Sequence, residues 1–316
     1  MKNKVNSVGI ERCSLSGVFV PILTPFLPDG TVDENSLRRL VNYVINNGIH
    51  GIWAAGTTGE FASLDEDSRR LVVETVVDEA AGRVPVIGNI SAPCTRGAIA
   101  AARGLRDCPM DGIAATPPYY FSNEQDELKE HYRAIADQSP IPLWVYNIPS
   151  HVKVSVEPDS IISLAEDGAV VGVKDSSGAG EAFAQLVMLS RKKGVSLCRF
   201  VGSTWRITMT GIGVDGIIPG IGNLIPRYIS SAWDAAQSGD EAAASQAHDQ
   251  VLSAIRVMRL GGAGSAGVYS GLKSALKILG VIDHNTISVP FRPLGPSEMN
   301  QIPLLLDEIG ISRGSL

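Results

Sequence analysis

Short runs of apolar, β-branched residues alternate along the chain with longer segments whose apolar positions recur at helical spacing. The runs 17–23, 50–54, 84–88, 111–115, 142–146, 169–174, 197–202 and 214–218 are apolar nearly throughout. Strands covered on both faces read this way, whereas a half-solvated strand alternates. The intervening segments carry the other period. In 33–47, Leu37, Leu40, Val41, Val44 and Ile45 recur at helical spacing, and Ser63 with Glu66 has the spacing of a capping box opening a helix over 65–81. Further helices are predicted over 95–106, 124–138, 157–166, 181–193, 204–211 and 226–238. Eight strand–helix units point to an α/β fold, a closed parallel (β/α)8 TIM barrel, with an open doubly wound sheet as the structural alternative. Residues 1–16 read as a polar N-terminal arm, 17–238 as the barrel and 239–316 as a C-terminal helical region. Within that last region, 240–259, 270–279 and 296–308 look helical and the glycine-rich stretch 261–267 looks like a loop.

Composition bounds this picture rather than changing it. Of 316 residues, 44% are apolar and 19% charged, which is ordinary globular usage. A net charge of −6 and the lack of a basic run argue against nucleic acid as a partner. No stretch reaches about 18 uninterrupted apolar residues, so no membrane partner is expected, and the arm lacks a signal-peptide core. Cys13, Cys94, Cys108 and Cys198 match neither a zinc pattern nor a dense disulfide framework, so incidental thiols and a cytoplasmic location are expected. His50, His131, His151, His248 and His284 show no metal-ligand spacing, and no metal is expected.

In a (β/α)8 barrel, chemistry sits at the C-terminal ends of the strands. The second strand runs into Gly56-Thr57-Thr58-Gly59-Glu60, where small residues allow close backbone approach and hydroxyls and free N–H groups can hold a carboxylate. The fourth leads into Thr116-Pro117-Pro118-Tyr119-Tyr120, the fifth ends at Tyr146 before Asn147-Ile148-Pro149-Ser150, and the sixth ends at Lys174. A lysine ending an apolar barrel strand is cut off from bulk water, and desolvation lowers an ammonium pKa. The neutral amine so produced attacks ketones and forms an iminium, an electron sink for an adjacent carbanion. The competing readings are a lysine reaching the rim or paired with Asp175, and a core tyrosine at Tyr146 with one satisfied hydroxyl.

The stretches Gly56-Thr57-Thr58-Gly59-Glu60, Tyr146-Asn147-Ile148-Pro149 and Gly172-Val173-Lys174-Asp175 resemble, in order and placement, three signatures of the dihydrodipicolinate synthase / N-acetylneuraminate lyase family. The similarity of layout runs from about Gly17 to about Leu279. It implies an oligomeric class I lyase or aldolase that needs no cofactor and acts on pyruvate or a related 2-keto acid with an aldehyde, or in reverse. By the resemblance, Lys174 would form the Schiff base, Tyr146 would be the general acid/base, and Thr57 would link Tyr146 to Tyr119, a tyrosine that in many members comes from the adjacent subunit. Thr58 and the Thr57 and Thr58 amides would hold the keto-acid carboxylate, and Gly56, Gly202 and Ile218 would border the pocket. The assembly it implies is a homotetramer built from tight dimers.

Two departures bear on the second substrate. Synthases of the family usually carry an arginine just after the Tyr-Asn-x-Pro-Ser stretch, where this chain has His151. An imidazole is a poor replacement for a bidentate guanidinium. Sialic-acid lyases usually show an acidic pair shortly after the seventh strand, where this chain reads Gly202-Ser203-Thr204-Trp205-Arg206. His151, Ser203, Thr204 and Trp205 are thus candidates for a variable pocket, and 2-keto-3-deoxy sugar acids or aromatic aldehyde adducts are alternatives to the lysine-pathway substrate. Rival readings are a metal-dependent aldolase, a phosphate site built on 213–223, and a keto-acid binder without turnover.

Overall fold

The computed structural model describes residues 15–202, 213–262 and 264–313. The expected helix over 204–211, Ser203, Thr204, Trp205 and most of the N-terminal arm lie outside the described residues.

Eight strands, β1 (Gly17–Pro21), β2 (Gly51–Ala54), β3 (Val86–Asn89), β4 (Gly112–Ala115), β5 (Leu143–Asn147), β6 (Gly172–Asp175), β7 (Cys198–Val201) and β8 (Gly216–Ile217), pair in parallel, each with the next. Pairing of Gly17 with Gly216 and Val18 with Ile217 closes the barrel, which excludes the open sheet. Around it run α1 (Glu34–Asn46), α2 (Glu66–Ala80), α3 (Thr95–Gly104), α4 (Gln125–Ala136), α5 (Pro149–Val152), α6 (Pro158–Glu166), α7 (Gly180–Lys193) and α8 (Pro226–Ser238). Then follow α9 (Glu241–Arg259), α10 (Ser265–Leu279) and α11 (Pro296–Ile309).

Local chemistry sets these elements. Asp33 caps α1 by accepting from Ser36 N at 3.0 Å, and Leu37, Leu40, Val41 and Val44 form its buried stripe. The start of α2 differs from the capping box expected at Ser63 and Glu66. Ser63 closes a 3-10 turn over Phe61–Ser63, and Asp65 is the cap, accepting from Ser68 N at 2.8 Å. The single-turn α5 has no counterpart among the predicted elements, and α10 begins at Ser265 rather than at 270. Gly261 and Gly267 explain the latter. Their backbones pass so closely that a Cβ on Gly267 would lie 2.6 Å from the Gly261 carbonyl carbon, so part of the glycine-rich stretch serves as the first turn of a packed helix.

Two apolar shells result. The outer one lies between strands and helices. The inner one fills the barrel with Phe19, Trp53, Ile87, Ala114, Trp144, Tyr146, Phe200 and Ile218, each fully buried large side chain contributing about 1.5–3 kcal/mol. Gly172 makes room for this layer, since a Cβ there would meet the Trp144 ring at 2.5 Å. Asn223, inside the stretch considered for phosphate, has its side chain occupied by β1. It accepts from Leu23 N at 3.0 Å and donates to Pro21 O at 2.9 Å. Cys94 and Cys108 are free thiols, but Cys198, where β7 passes Leu15, is disulfide-bonded, which corrects the expectation of incidental thiols there. No described helix is long and apolar enough to cross a membrane.

Candidate active site

The register of β5 against β6 sets Tyr146 opposite Lys174. Lys174 Nζ lies 4.1 Å from the centre of the Tyr146 ring and 4.7 Å from that of Trp53. The lysine is 3% exposed, and burial lowers its pKa from 10.5 to about 7. Asp175, its chain neighbour, does not neutralise it. That carboxylate accepts from Asn147 Nδ2 at 3.1 Å and from Ser177 Oγ at 2.8 Å. Among the described residues no carboxylate forms an ion pair with Lys174, so burial acts unopposed and a large share of this amine is uncharged near neutrality.

Tyr146 Oη and Thr57 Oγ1 are hydrogen-bonded at 2.9 Å. Burial pushes the phenol up to about 12, while the Thr57 and Ser176 hydrogen bonds pull the other way. The group therefore holds its proton at neutral pH and can deliver it to an oxygen beside Lys174.

Thr57 is placed by the loop between β2 and α2. Ala55 and Glu60 sit in the left-handed region at φ 50° and 57°, conformations uncommon for non-glycine residues. Glu60 N donates to Thr57 O at 3.1 Å, and Thr24 Oγ1 donates to Gly59 O at 2.8 Å. The Glu60 carboxylate is buried and fully used. It accepts from Lys273 Nζ at 2.5 Å, Ser288 N at 2.9 Å and Ser288 Oγ at 2.6 Å. Helix α10, from beyond the barrel, is in this way fastened to the loop that holds Thr57.

The other expected residues fall as follows. Gly56 lies under Trp53, where a Cβ would approach the indole to 2.8 Å. Gly202 borders Lys174, and a Cβ there would be 3.6 Å from Lys174 Cε and collide with Ser176 Oγ. Ile218 is buried in the inner shell, and Thr58 faces Gly220, with Oγ1 3.6 Å from a Cβ built there. His151 sits at the exposed rim on α5, 2.9 Å from Ser150 Oγ, with desolvation lowering its pKa. Tyr119 lines the same cavity as Thr57, but within one chain the two form no hydrogen bond, and Thr57 Oγ1 is engaged with Tyr146.

That cavity, of about 190 Å³, has walls from four sources: Thr57, Phe61 and Ala62 after β2, Thr116 and Tyr119 after β4, Ile148, His151 and Val152 after β5, and Tyr269 and Phe291 from the C-terminal region. Sequence reasoning missed Thr116, Lys273, Tyr269 and Phe291. Only Thr116 carried a signal, its place at the end of β4. The C-terminal residues reach the barrel mouth only through tertiary packing. An amine with a lowered pKa, a protonated phenol and a hydroxyl partner, Thr57, that also lines the cavity suit imine formation with a carbonyl compound.

The comparisons with known proteins agree with this chemistry. The sequence model of the dihydrodipicolinate synthetase family matches residues 14–309. The 4-hydroxy-tetrahydrodipicolinate synthase of Pelobacter propionicus is 32% identical over 297 residues, covering 93% of this chain and 99% of its own length. The structure of dihydrodipicolinate synthase from Bacteroides thetaiotaomicron superposes with a TM-score of 0.87 at 31% identity, covering 93% of this chain and 99% of that one. The chloride-inhibited dihydrodipicolinate synthase from Acinetobacter baumannii, complexed with pyruvate, gives 0.85 at 30% identity, covering 94% and 100%. Fold and site together define a class I lyase, an enzyme that works through a Schiff base on a lysine. The chain belongs to the dihydrodipicolinate synthetase family, whose members use pyruvate.

Proposed function

We propose that this enzyme loads pyruvate onto Lys174 and joins it to an aldehyde, or runs the cleavage in reverse. The observation that carries the reading is the buried Lys174 amine, without an ion-pair partner among the described residues, against the Tyr146 ring, with Tyr146 hydrogen-bonded to Thr57. The Thr57 and Thr58 amides and Thr58 Oγ1 hold the pyruvate carboxylate. The neutral amine attacks the keto carbon, Tyr146 gives its proton to the carbinolamine oxygen, and water leaves. The phenolate then takes a methyl proton, generating the enamine. Its carbon bonds to the aldehyde carbon, the aldehyde oxygen takes back the proton, and water hydrolyses the imine.

The relatives' name, 4-hydroxy-tetrahydrodipicolinate synthase, keeps that reaction as a second reading. His151, standing where the family's synthases usually carry arginine, favours another aldehyde. Tyr120 and Phe121, 74% and 73% exposed and packed edge-to-face at 5.0 Å beside Tyr119, support a homotetramer in which this corner meets a second subunit. A cytoplasmic location is part of the same reading.

Borohydride reduction with saturating pyruvate, read by peptide mass spectrometry, tests it. A reduced pyruvate adduct on Lys174 is expected. No adduct on the folded protein, or one on another lysine, overturns the reading.

A further inference from the structure

The cavity lined by Thr57, the hydrogen-bond partner of Tyr146, has two features that the pyruvate reading leaves unused. The first is Thr116. It is 1% exposed, its Oγ1 has no hydrogen-bond partner, and it lines the cavity. Its backbone is fixed, with N donating to Ser91 Oγ at 2.9 Å. A buried hydroxyl without a partner is costly, and a ligand oxygen would relieve that cost.

The second is the wall. Phe61, Ile148, Val152, Tyr269 and Phe291 surround the opening, and the Tyr269 and Phe291 rings meet edge-to-face at 5.9 Å. Glu60 is the one carboxylate among the described lining residues, and its oxygens are taken by Lys273 and Ser288. A substrate carboxylate placed here would lose its water and find no lysine or arginine among the described lining residues to receive it. A polyol would need a partner for each hydroxyl. A flat apolar body needs neither and gains from burial against aromatic edges. The size fits, since an apolar cavity of about 150 Å³ accommodates a benzene ring, and this one measures about 190 Å³.

We propose that the second substrate is an uncharged aromatic aldehyde, its ring held by Phe61, Tyr269 and Phe291 and its oxygen hydrogen-bonded by Thr116 Oγ1. This rests on pyruvate being carried by Lys174. The enamine carbon forms the new bond to the aldehyde carbon, the aldehyde π bond breaks, and its oxygen is protonated. Hydrolysis by one water then releases a 4-hydroxy-2-oxo acid.

The test has two arms. Borohydride trapping first establishes the pyruvate imine. If it fails on folded protein, the proposed function falls and this inference with it. With trapping positive, condensation of pyruvate with benzaldehyde, succinic semialdehyde and glyceraldehyde is followed by product mass. Benzaldehyde is expected to have a kcat/KM at least about tenfold above the other two. Thr116→Val is expected to lower kcat/KM for benzaldehyde about tenfold and Thr116→Ser to restore most of it, the effect of one hydrogen bond. A preference for either of the other aldehydes, no turnover of benzaldehyde despite trapping, or an unchanged kcat/KM in Thr116→Val overturns the inference while leaving the pyruvate imine intact.

Discussion

Two lysines are buried near the mouth of this barrel, and their surroundings differ in one respect that decides what each can do. Lys174, on β6, has aromatic rings for neighbours and no ion-pair partner among the described residues. Lys273, on α10, faces Glu60 at 2.5 Å, donates to Thr286 O at 3.0 Å and lies 4.1 Å over the Phe26 ring. Burial lowers the pKa of both, to about 7 for Lys174 and about 8 for Lys273, where the Glu60 carboxylate opposes the shift. Burial alone therefore does not make a nucleophile. A lysine held against a carboxylate keeps its proton and fastens two segments together, whereas one left with apolar neighbours gives up its proton and can attack a carbonyl.

Exchanging each lysine separates the two roles. Lys174→Ala is expected to lower turnover by roughly 10³-fold or more and to abolish the trapped adduct, because the attacking atom is gone. Retained adduct formation would show that another amine does the chemistry. Stability should respond in the opposite sense at the two sites. Lys273→Met leaves Glu60 charged, buried and partly unpaired, and is expected to cost about 3–5 kcal/mol in urea unfolding. The double variant Glu60→Gln, Lys273→Met should recover most of this loss. Lys174→Met should instead gain about 0.5–2 kcal/mol, since an amine kept for function is replaced by an apolar chain of similar length. Equal losses at both sites would erase the distinction.

The pH dependence gives a finer test. Only neutral Lys174 attacks, so the trapping rate at saturating pyruvate should rise as pH increases through about 7. Stability should move the same way. Between about 7 and the ordinary value of 10.5 the unfolded chain binds a proton that the folded site excludes, so stability from this group increases with pH across that window. Lys174→Met should flatten that part of the curve. A trapping rate already constant below pH 6 would mean that an unseen group sets the lysine's protonation.

The legibility of the two lysines in the sequence differs for the same physical reason. Lys174 ends an apolar run, Tyr146 ends the neighbouring one, and the Thr57 loop follows the second run at the same end of the barrel, so barrel geometry brings them together. The eight strands and most helices were readable because a strand covered on both faces and a helix with one buried stripe have different periods. Lys273 lies in an apolar helix far along the chain, and its partner Glu60 is more than two hundred positions away. No local period encodes such a pairing. Likewise, Tyr269 and Phe291 look like ordinary helix and loop residues until α10 docks over the mouth, and the start of α10 was hidden because the close backbone pass at Gly261 and Gly267 reads as loop composition.

The smallest expected effect concerns His151, which lines the same cavity as Thr57 and is exposed. Its ring is bonded to Ser150 Oγ, and desolvation holds its pKa below the usual imidazole value, so at neutral pH it brings little positive charge to the opening. His151→Arg places a permanent cation there. Because the site is open to water, screening limits the gain to that of an exposed charge pair, and kcat/KM for succinic semialdehyde relative to benzaldehyde should rise about two- to fivefold. The effect should shrink in high salt. An unchanged ratio would mean that incoming aldehydes do not pass His151, leaving selectivity to Thr116 and the apolar wall. A much larger rise would mean that the arginine turns into the cavity and pairs with the carboxylate away from water. In that case the exclusion of charge that leaves Lys174 neutral would end below the rim, and His151 rather than the aromatic wall would set the choice of aldehyde.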